Sequence, residues 1–128
     1  MKITRVYTKS PWEEKVAYCR AKRMGNFIAV AGTTAVNEKG EIFAPGDTPA
    51  QARFVLEKIS NALQQLGATL ENTLRTRMYV TELDSFDELA AVHRQYFATI
   101  DPVASCIQVA GLVDPQLTIE IELDAIVF

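Results

Sequence analysis

Within the last twelve residues, 117–128, the apolar residues Ile119, Ile121, Leu123 and Ala125 alternate strictly with acidic ones. Alternation with a period of two is typical of a half-buried β-strand that packs one face on a core and leaves the other face free. The free face of this predicted strand carries three carboxylates, Glu120, Glu122 and Asp124. Because like charges repel, we expect cations or an interface opposite them.

Similar patterns predict the other strands. Residues 3–8 form a short strand, and 18–25 with 26–36 form a hairpin that turns at Gly25 and Asn26. Residues 74–83 alternate Thr76, Met78 and Val80 with Arg75, Arg77 and Tyr79, and residues 104–111 form a further strand. Residues 10–17 contain Pro11 and are predicted to be a loop.

Two helices separate these strands. The first is predicted to begin at Thr48 as N-cap, with Pro49 at the first helical position and Gln51 completing a capping box, and to end at Gly67. Its apolar stripe is Val55, Ile59, Ala62, Leu63 and Leu66.

The second helix is predicted to open at Ser85, with Glu88 completing another capping box, and to end before Asp101. Its inward residues are Phe86, Leu89, Val92, Tyr96 and Phe97. The element order predicts one α+β domain over residues 1–128, a mixed six-stranded sheet with both helices on one face.

Composition narrows the class of protein. A length of 128 residues, 48% apolar residues, a net charge of −3 and only two cysteines are typical of a single globular cytoplasmic domain. The acidic balance disfavours nucleic acid as a partner, and no apolar run is long enough to cross a membrane. One histidine and two distant cysteines indicate no metal site.

If the helices cover one face, the other face collects charged, aromatic and small side chains. They are Tyr18, Arg20 and Lys22, then Arg75, Arg77 and Tyr79, then Ala104, Cys106, Gln108 and Ala110, and the three acids. Such a mixture is more typical of an interface than of free surface. We therefore expect this face to meet copies of the chain in an oligomer, with charged clefts between them.

Four stretches together resemble the RidA family of reactive-intermediate deaminases, also called the YjgF family. They are residues 17–33, 46–86, 105–112 and 119–122. The resemblance implies a chorismate-mutase-like fold assembled as a homotrimer with three ligand clefts at the subunit boundaries. It also implies hydrolysis of enamines and imines to 2-oxo acids without a metal or organic cofactor.

Carried over by position, the resemblance assigns Tyr18, Gly32 and Cys106 to the cleft and Glu120 to the positioning of water. It also marks three departures, because this chain has Ala31, Ala90 and Ala104 where the family has a serine, an asparagine and the arginine that binds the substrate carboxylate. A methyl group cannot replace a bidentate arginine contact, which disfavours 2-aminoacrylate as the substrate.

Further candidates come from single residues. Arg77 either replaces the lost arginine or neutralises Glu122 or Asp124 across the sheet. His93 is either an acid–base group or a half-buried helix residue with one hydrogen bond. Trp12 either covers the cleft or packs on a neighbouring subunit, and Cys106 is a reactive thiol or a small buried residue.

Three functions stay open on this sequence. The first is a hydrolase of an imine, an enamine or a related 2-oxo-acid-like metabolite that uses Glu120. The second is a non-catalytic trimer that binds or senses a small, partly apolar metabolite. The third, a ribonuclease or translation-inhibitor role carried by some relatives, receives little support from an acidic chain with one histidine.

Overall fold

A computed structural model describes residues 1–128 as one α+β unit built on a six-stranded mixed sheet. The strands are β1 (Ile3–Val6), β2 (Ala21–Met24), β3 (Phe27–Thr33), β4 (Thr73–Val80), β5 (Val103–Gln108) and β6 (Ile119–Ile126). The helices are α1 (Pro11–Val16), α2 (Thr48–Gln65) and α3 (Phe86–Phe97), with a short 3₁₀ turn at Leu70–Asn72.

The strand order in the sheet is β1-β2-β3-β6-β4-β5, and only the β4–β5 pair is parallel. The C-terminal strand β6 therefore lies in the middle of the sheet, between β3 and β4. The α+β class and the mixed six-stranded sheet predicted from the sequence are confirmed.

Strand alternation separates the sheet into a core face and an open face. Helices α2 and α3 pack on the core face, where the apolar residues of β6 are fully buried: Ile119, Ile121, Leu123 and Ala125. The predicted stripe of α2 is buried too, at Val55, Ile59, Ala62, Leu63 and Leu66. The open face carries the polar residues of β4 and β6, as the alternation predicts.

Residues 10–17 were predicted to be a loop, and this was wrong. The Ser10 side chain accepts a hydrogen bond from the Trp12 backbone N–H at 3.3 Å, and Pro11 stands in the first turn of α1. The helix ends at Ala17, which is left-handed with φ of 71°. A six-residue helix has too few positions for a periodic pattern, so the cap was the available signal.

The predicted caps of the longer helices also need correction. Asp47, not Thr48, is the N-cap of α2, and its carboxylate accepts from the Ala50 N–H at 3.1 Å. Ser85 caps α3 without a side-chain hydrogen bond, so no capping box forms there. Phe86, predicted to point inward, is 45% exposed at the start of α3.

Gln51 does not complete a capping box either. Its side chain is fully buried, donates to the carbonyls of Ala44 (3.0 Å) and Gln116 (2.9 Å), and accepts from the Thr118 N–H (2.9 Å). One amide group thus ties α2 to the two loops that flank β6. None of the helices combines the length and the apolar character needed to cross a membrane.

Replacement of Gln51 with leucine is expected to destabilise the fold strongly. It leaves the buried Thr118 N–H without a partner, which costs about 1–3 kcal/mol, and it removes one hydrogen bond from each of two carbonyls, at about 0.5–1.5 kcal/mol each. These carbonyls, of Ala44 and Gln116, keep the N–H groups of Asp47 and Gly46 as donors. We expect a loss of about 2–4 kcal/mol in urea unfolding, against less than about 0.5 kcal/mol for Gln64→Leu at an exposed position of the same helix. Equal stability of the two variants would show that the buried amide does not join these loops.

Candidate functional site

On the open face, residues of β4 form an ion pair and a hydrogen bond with two of the acids of β6. Arg77 lies opposite Glu122 in the register and its guanidinium reaches Asp124 at 3.4 Å. The Tyr79 hydroxyl donates to Glu122, and this hydrogen bond is the main reason why the pKa of Tyr79 is raised. Of the two roles considered for Arg77, the structure shows its contact with Asp124, and Arg77 does not line the cleft that holds Glu120.

Glu120 differs from the other two acids of β6. Its carboxylate forms no hydrogen bond or ion pair within the chain, although about half of the residue is removed from solvent. Burial raises the pKa of Glu120, the negative charge of Glu122 raises it further, and the positive charge of Arg20 opposes both. A carboxyl group with a raised pKa and no partner is available to exchange a proton with a ligand.

Gly32 forms the wall beside this carboxylate. The pairing of β3 with β6 shifts register between Val30 and Thr33, which brings the Gly32 backbone against Glu120. A Cβ atom at position 32 would lie 2.7 Å from both Cδ and Oε2 of Glu120. Any larger residue at position 32 would therefore force the Glu120 carboxylate to move, since real Cβ atoms do not tolerate such a distance.

Arg20 holds the Gly32 backbone in place through hydrogen bonds. Its side chain is 6% exposed, and Nη1 donates to the Gly32 carbonyl at 2.6 Å and to Thr33 Oγ1 at 3.2 Å. Nη2 contacts Glu13 at 3.3 Å and the Tyr18 hydroxyl at 3.4 Å. The sequence placed Arg20 on a charged face, but the structure makes it a buried group that holds the site together.

Glu13 completes this buried network. Its carboxylate is 4% exposed on its side chain, pairs with Arg20, and accepts hydrogen bonds from the backbone and the hydroxyl of Thr8. The sequence analysis missed Glu13 because it took residues 10–17 as a loop. The signal available was the serine cap, which places Glu13 in the first turn of a helix that borders the site.

Glu120 opens into a cleft of about 940 Å³, here called the Glu120 cleft. Its lining includes Trp12, Tyr18, Arg20, Gly32, Lys58 and Glu120. Trp12 is 44% exposed, and the Lys15 ammonium lies 5.4 Å from the centre of its ring. Its lining is mixed, since 11 of its 27 residues are hydrophobic and the others include charged and neutral polar side chains. Ala31 lies beside Gly32 but lines the open face instead.

Ala104 and Cys106 were predicted to share the open face with Glu120, and within one chain this was wrong. In the parallel β4–β5 register Ala104 pairs with Thr76 and Cys106 with Met78, which both point toward the helices. The open face receives Val103, Ser105 and Ile107 instead. The register could not be predicted from the sequence, because alternation in 103–108 is weak and residues on both faces of β5 are exposed.

Ala104 and Cys106 line a smaller pocket of about 390 Å³ beneath α3, here called the Cys106 pocket. His93 and Ala90 also line it. His93 Nε2 lies 2.9 Å from Thr76 Oγ1, and burial lowers the pKa of the imidazole. Burial raises the pKa of the Cys106 thiol. Both groups are therefore held in their neutral forms at neutral pH.

Metal ligation finds no support in the arrangement of side chains. No group of three or more histidine, cysteine or carboxylate residues lies close enough together to hold a metal ion.

Comparison with known proteins finds a matching family model and several relatives. The family model described as endoribonuclease L-PSP matches residues 8–127. The 3-aminoacrylate deaminase RutC of Acinetobacter baylyi is 31% identical over 81% of this chain and 82% of its own length. A Streptomyces coelicolor protein of uncharacterised function is 30% identical over 96% of this chain and 91% of its own.

Solved structures agree with the fold. A Mycobacterium tuberculosis protein of the YjgF/YER057c/UK114 family has a TM-score of 0.89 and 42% identity, over 98% of this chain and all of its own. The product of the Escherichia coli gene yjgF has a TM-score of 0.80 and 28% identity, over 96% of this chain and 94% of its own.

Substitution of Gly32 with alanine is expected to displace Glu120 from its position in the cleft. The added methyl group overlaps the carboxylate, which lies at the end of a flexible side chain beside an open cleft, so we expect the carboxylate to move at little cost in stability. Gly111→Ala is the matched control, because a Cβ atom there meets nothing within 4 Å. A crystal structure and urea unfolding of both variants test this, and an undisturbed Glu120 in Gly32→Ala would contradict the close approach.

Proposed function

The chain belongs to the YjgF/RidA family, and from that premise we propose that it hydrolyses an imine or enamine of a small metabolite, with Glu120 orienting the attacking water. The observation that carries the proposal is the unpaired, half-buried Glu120 carboxylate held against the Gly32 backbone. The deaminase named among its relatives acts on an aminoacrylate, a small enamine acid, which supports this class of substrate.

The reaction needs one group that both accepts and returns a proton. Water adds to the carbon of a protonated C=N bond while Glu120 takes a proton from it, which forms a neutral carbinolamine. Glu120 then returns that proton to nitrogen. The C–N bond breaks, ammonia leaves, and the hydroxyl group becomes the carbonyl of the product as its proton passes to Glu120. A carboxyl group whose pKa is raised from its ordinary value suits both steps at neutral pH. Its pKa lies closer to the pH, so the protonated and ionised forms are closer to each other in free energy.

The proposal includes a homotrimer with shared clefts. In one chain the Glu120 cleft and the Cys106 pocket share no lining residue, and the proposal is that they join where two chains meet. Tyr18 and Gly32 would then come from one subunit and Ala104 and Cys106 from the next. His93 lines the second of these pockets and Trp12 the first.

The open face supports this assembly. Val103 and Ile107 are 56% and 46% exposed beside the partly exposed pair of Arg77 and Asp124. Large apolar residues next to half-exposed charges are costly in water and are typical of surfaces that dock. Charged ladders on adjacent subunits would then add polar contacts around an apolar centre.

A non-catalytic binding trimer is the second candidate. It is favoured by the alanines at 31, 90 and 104, which leave fewer polar groups to hold a reacting substrate. An RNA-directed function, suggested by the family's description, draws less support. The chain has a net charge of −3, and its single histidine lies in the Cys106 pocket away from Glu120.

Turnover separates the first two candidates. Purified protein is challenged with imines generated by an amino acid oxidase, and release of the 2-oxo acid and ammonia is measured. We expect Glu120→Gln to lower the rate by about 100-fold or more, because one positioned acid–base group contributes about that factor. Glu82→Gln, at an exposed position, should keep the rate. No turnover by the wild type across all imines would reject the hydrolase and leave the binding trimer.

Disruption of the open face tests the assembly separately. Ile107→Asp places a carboxylate at the proposed subunit contact and is expected to yield single chains. Light scattering after gel filtration should give three times the 14.2 kDa of one chain for the wild type and for Leu83→Asp, whose residue is equally exposed off this face. A monomeric wild type, or a trimeric Ile107→Asp, would exclude this surface as the interface.

A further inference from the structure

Lys58 is a cation without a counter-charge in the Glu120 cleft. It stands in the middle of α2, half-buried, and its ammonium donates to the Val36 carbonyl at 3.0 Å. The two ion pairs of the chain are Glu13–Arg20 and Arg77–Asp124, and Lys58 belongs to neither. Since an ammonium has three donors, two of them are left for the cleft.

The electrostatics of the cleft single out this lysine. Burial lowers the pKa of Lys58, the charge of Arg20 lowers it further, and Glu13 opposes both. Arg20 is therefore within Coulombic reach of both Lys58 and Glu120, but Glu13 already neutralises it. Other acids that line the cleft, Glu38, Glu57 and Asp114, approach no closer to Lys58 than ion-pair distance, 4 Å.

A half-buried cation without a partner is costly, and a bound anion removes much of that cost. The anion that fits is singly charged. Glu120 places negative charge in the same cleft, which disfavours a dianion such as a phosphate monoester. The lining also offers no second unpaired cation in its interior and no glycine-rich phosphate loop.

We propose that Lys58 is the anion anchor of the Glu120 cleft, and that it binds the carboxylate of a small monocarboxylic ligand whose other end reaches Glu120. The inference rests on the proposed function only for the identity of the reacting end. It assigns to α2 the contact that the sequence analysis sought from Arg77, which is instead engaged by Asp124. The ligand would then extend across the cleft from Lys58, past Arg20, to Glu120.

Direct binding of a stable carboxylate tests the anchor without any turnover. The probe is 2-oxobutanoate, titrated by calorimetry, and 2-oxobutanamide is the uncharged probe of similar shape. Lys58→Gln removes the charge and keeps a donor for Val36, whereas Lys58→Arg keeps the charge. Lys39→Gln is the matched control, since it removes the same charge from an exposed residue at the rim that does not itself line the cleft.

We expect the wild type, Lys39→Gln and Lys58→Arg to bind 2-oxobutanoate with affinities within about threefold of each other. Lys58→Gln should bind about 10- to 100-fold more weakly, the usual range for losing a charged hydrogen bond. The amide should bind weakly to every variant. A wild type that does not bind the carboxylate, or a Lys58→Gln that binds it equally well, overturns the inference.

A second measurement separates an anchor from a merely structural lysine. Titration of the Lys58 Cε signal by NMR should show that 2-oxobutanoate raises the pKa of the ammonium, because an adjacent anion favours its charged form. An unchanged pKa at saturating probe overturns the contact. Weakened binding in Lys58→Gln together with no imine turnover keeps the anchor and rejects the hydrolase. Normal binding in Lys58→Gln together with imine turnover rejects the anchor and keeps the hydrolase.

Discussion

A buried ion pair between Glu13 and Arg20 is the contact on which the site depends. It joins the short helix α1 to the end of β2, and through Arg20 it holds the carbonyl of Gly32 at 2.6 Å. Removing either partner would leave an uncompensated buried charge, which typically costs about 3–5 kcal/mol. The position of Gly32, and with it that of the free carboxylate of Glu120, thus depends on this buried pair.

Because side chains alternate along each strand, the two faces of the sheet have different roles. On the core face, β6 contributes four apolar side chains to a core of 23 buried apolar residues, and burial of this core is the main stabilisation of the fold. On the open face the same strand carries three acids, of which two are satisfied by Tyr79 and Arg77. Only Glu120 is left without a partner, because the register shift in β3 replaces a side chain beside it with the Gly32 backbone.

The sequence predicted these features where one local period determined them. The alternation of β4 and β6 and the stripe of α2 were read correctly, since each depends on residues adjacent in the chain. The failures lie where a distant partner decides. Ala104 and Cys106 were assigned to the wrong face because the parallel pairing with β4, not the pattern of β5, fixes their direction. Gln51 looked like a cap because its loop partners, Ala44 and Gln116, are invisible in the helix pattern.

Glu120 and Lys58 have opposite charges but share one physical condition. Burial raises the pKa of the acid and lowers the pKa of the base, so each shift opposes ionisation. A fold selected only for stability would pair two such groups with each other or replace them with apolar residues, which often stabilises a protein. Here Arg20 and its partner Glu13 stand between them and neutralise each other instead. Two partly desolvated charges kept apart in one cleft lower the stability of the empty protein. A ligand that contacts both would restore the stability lost in this way.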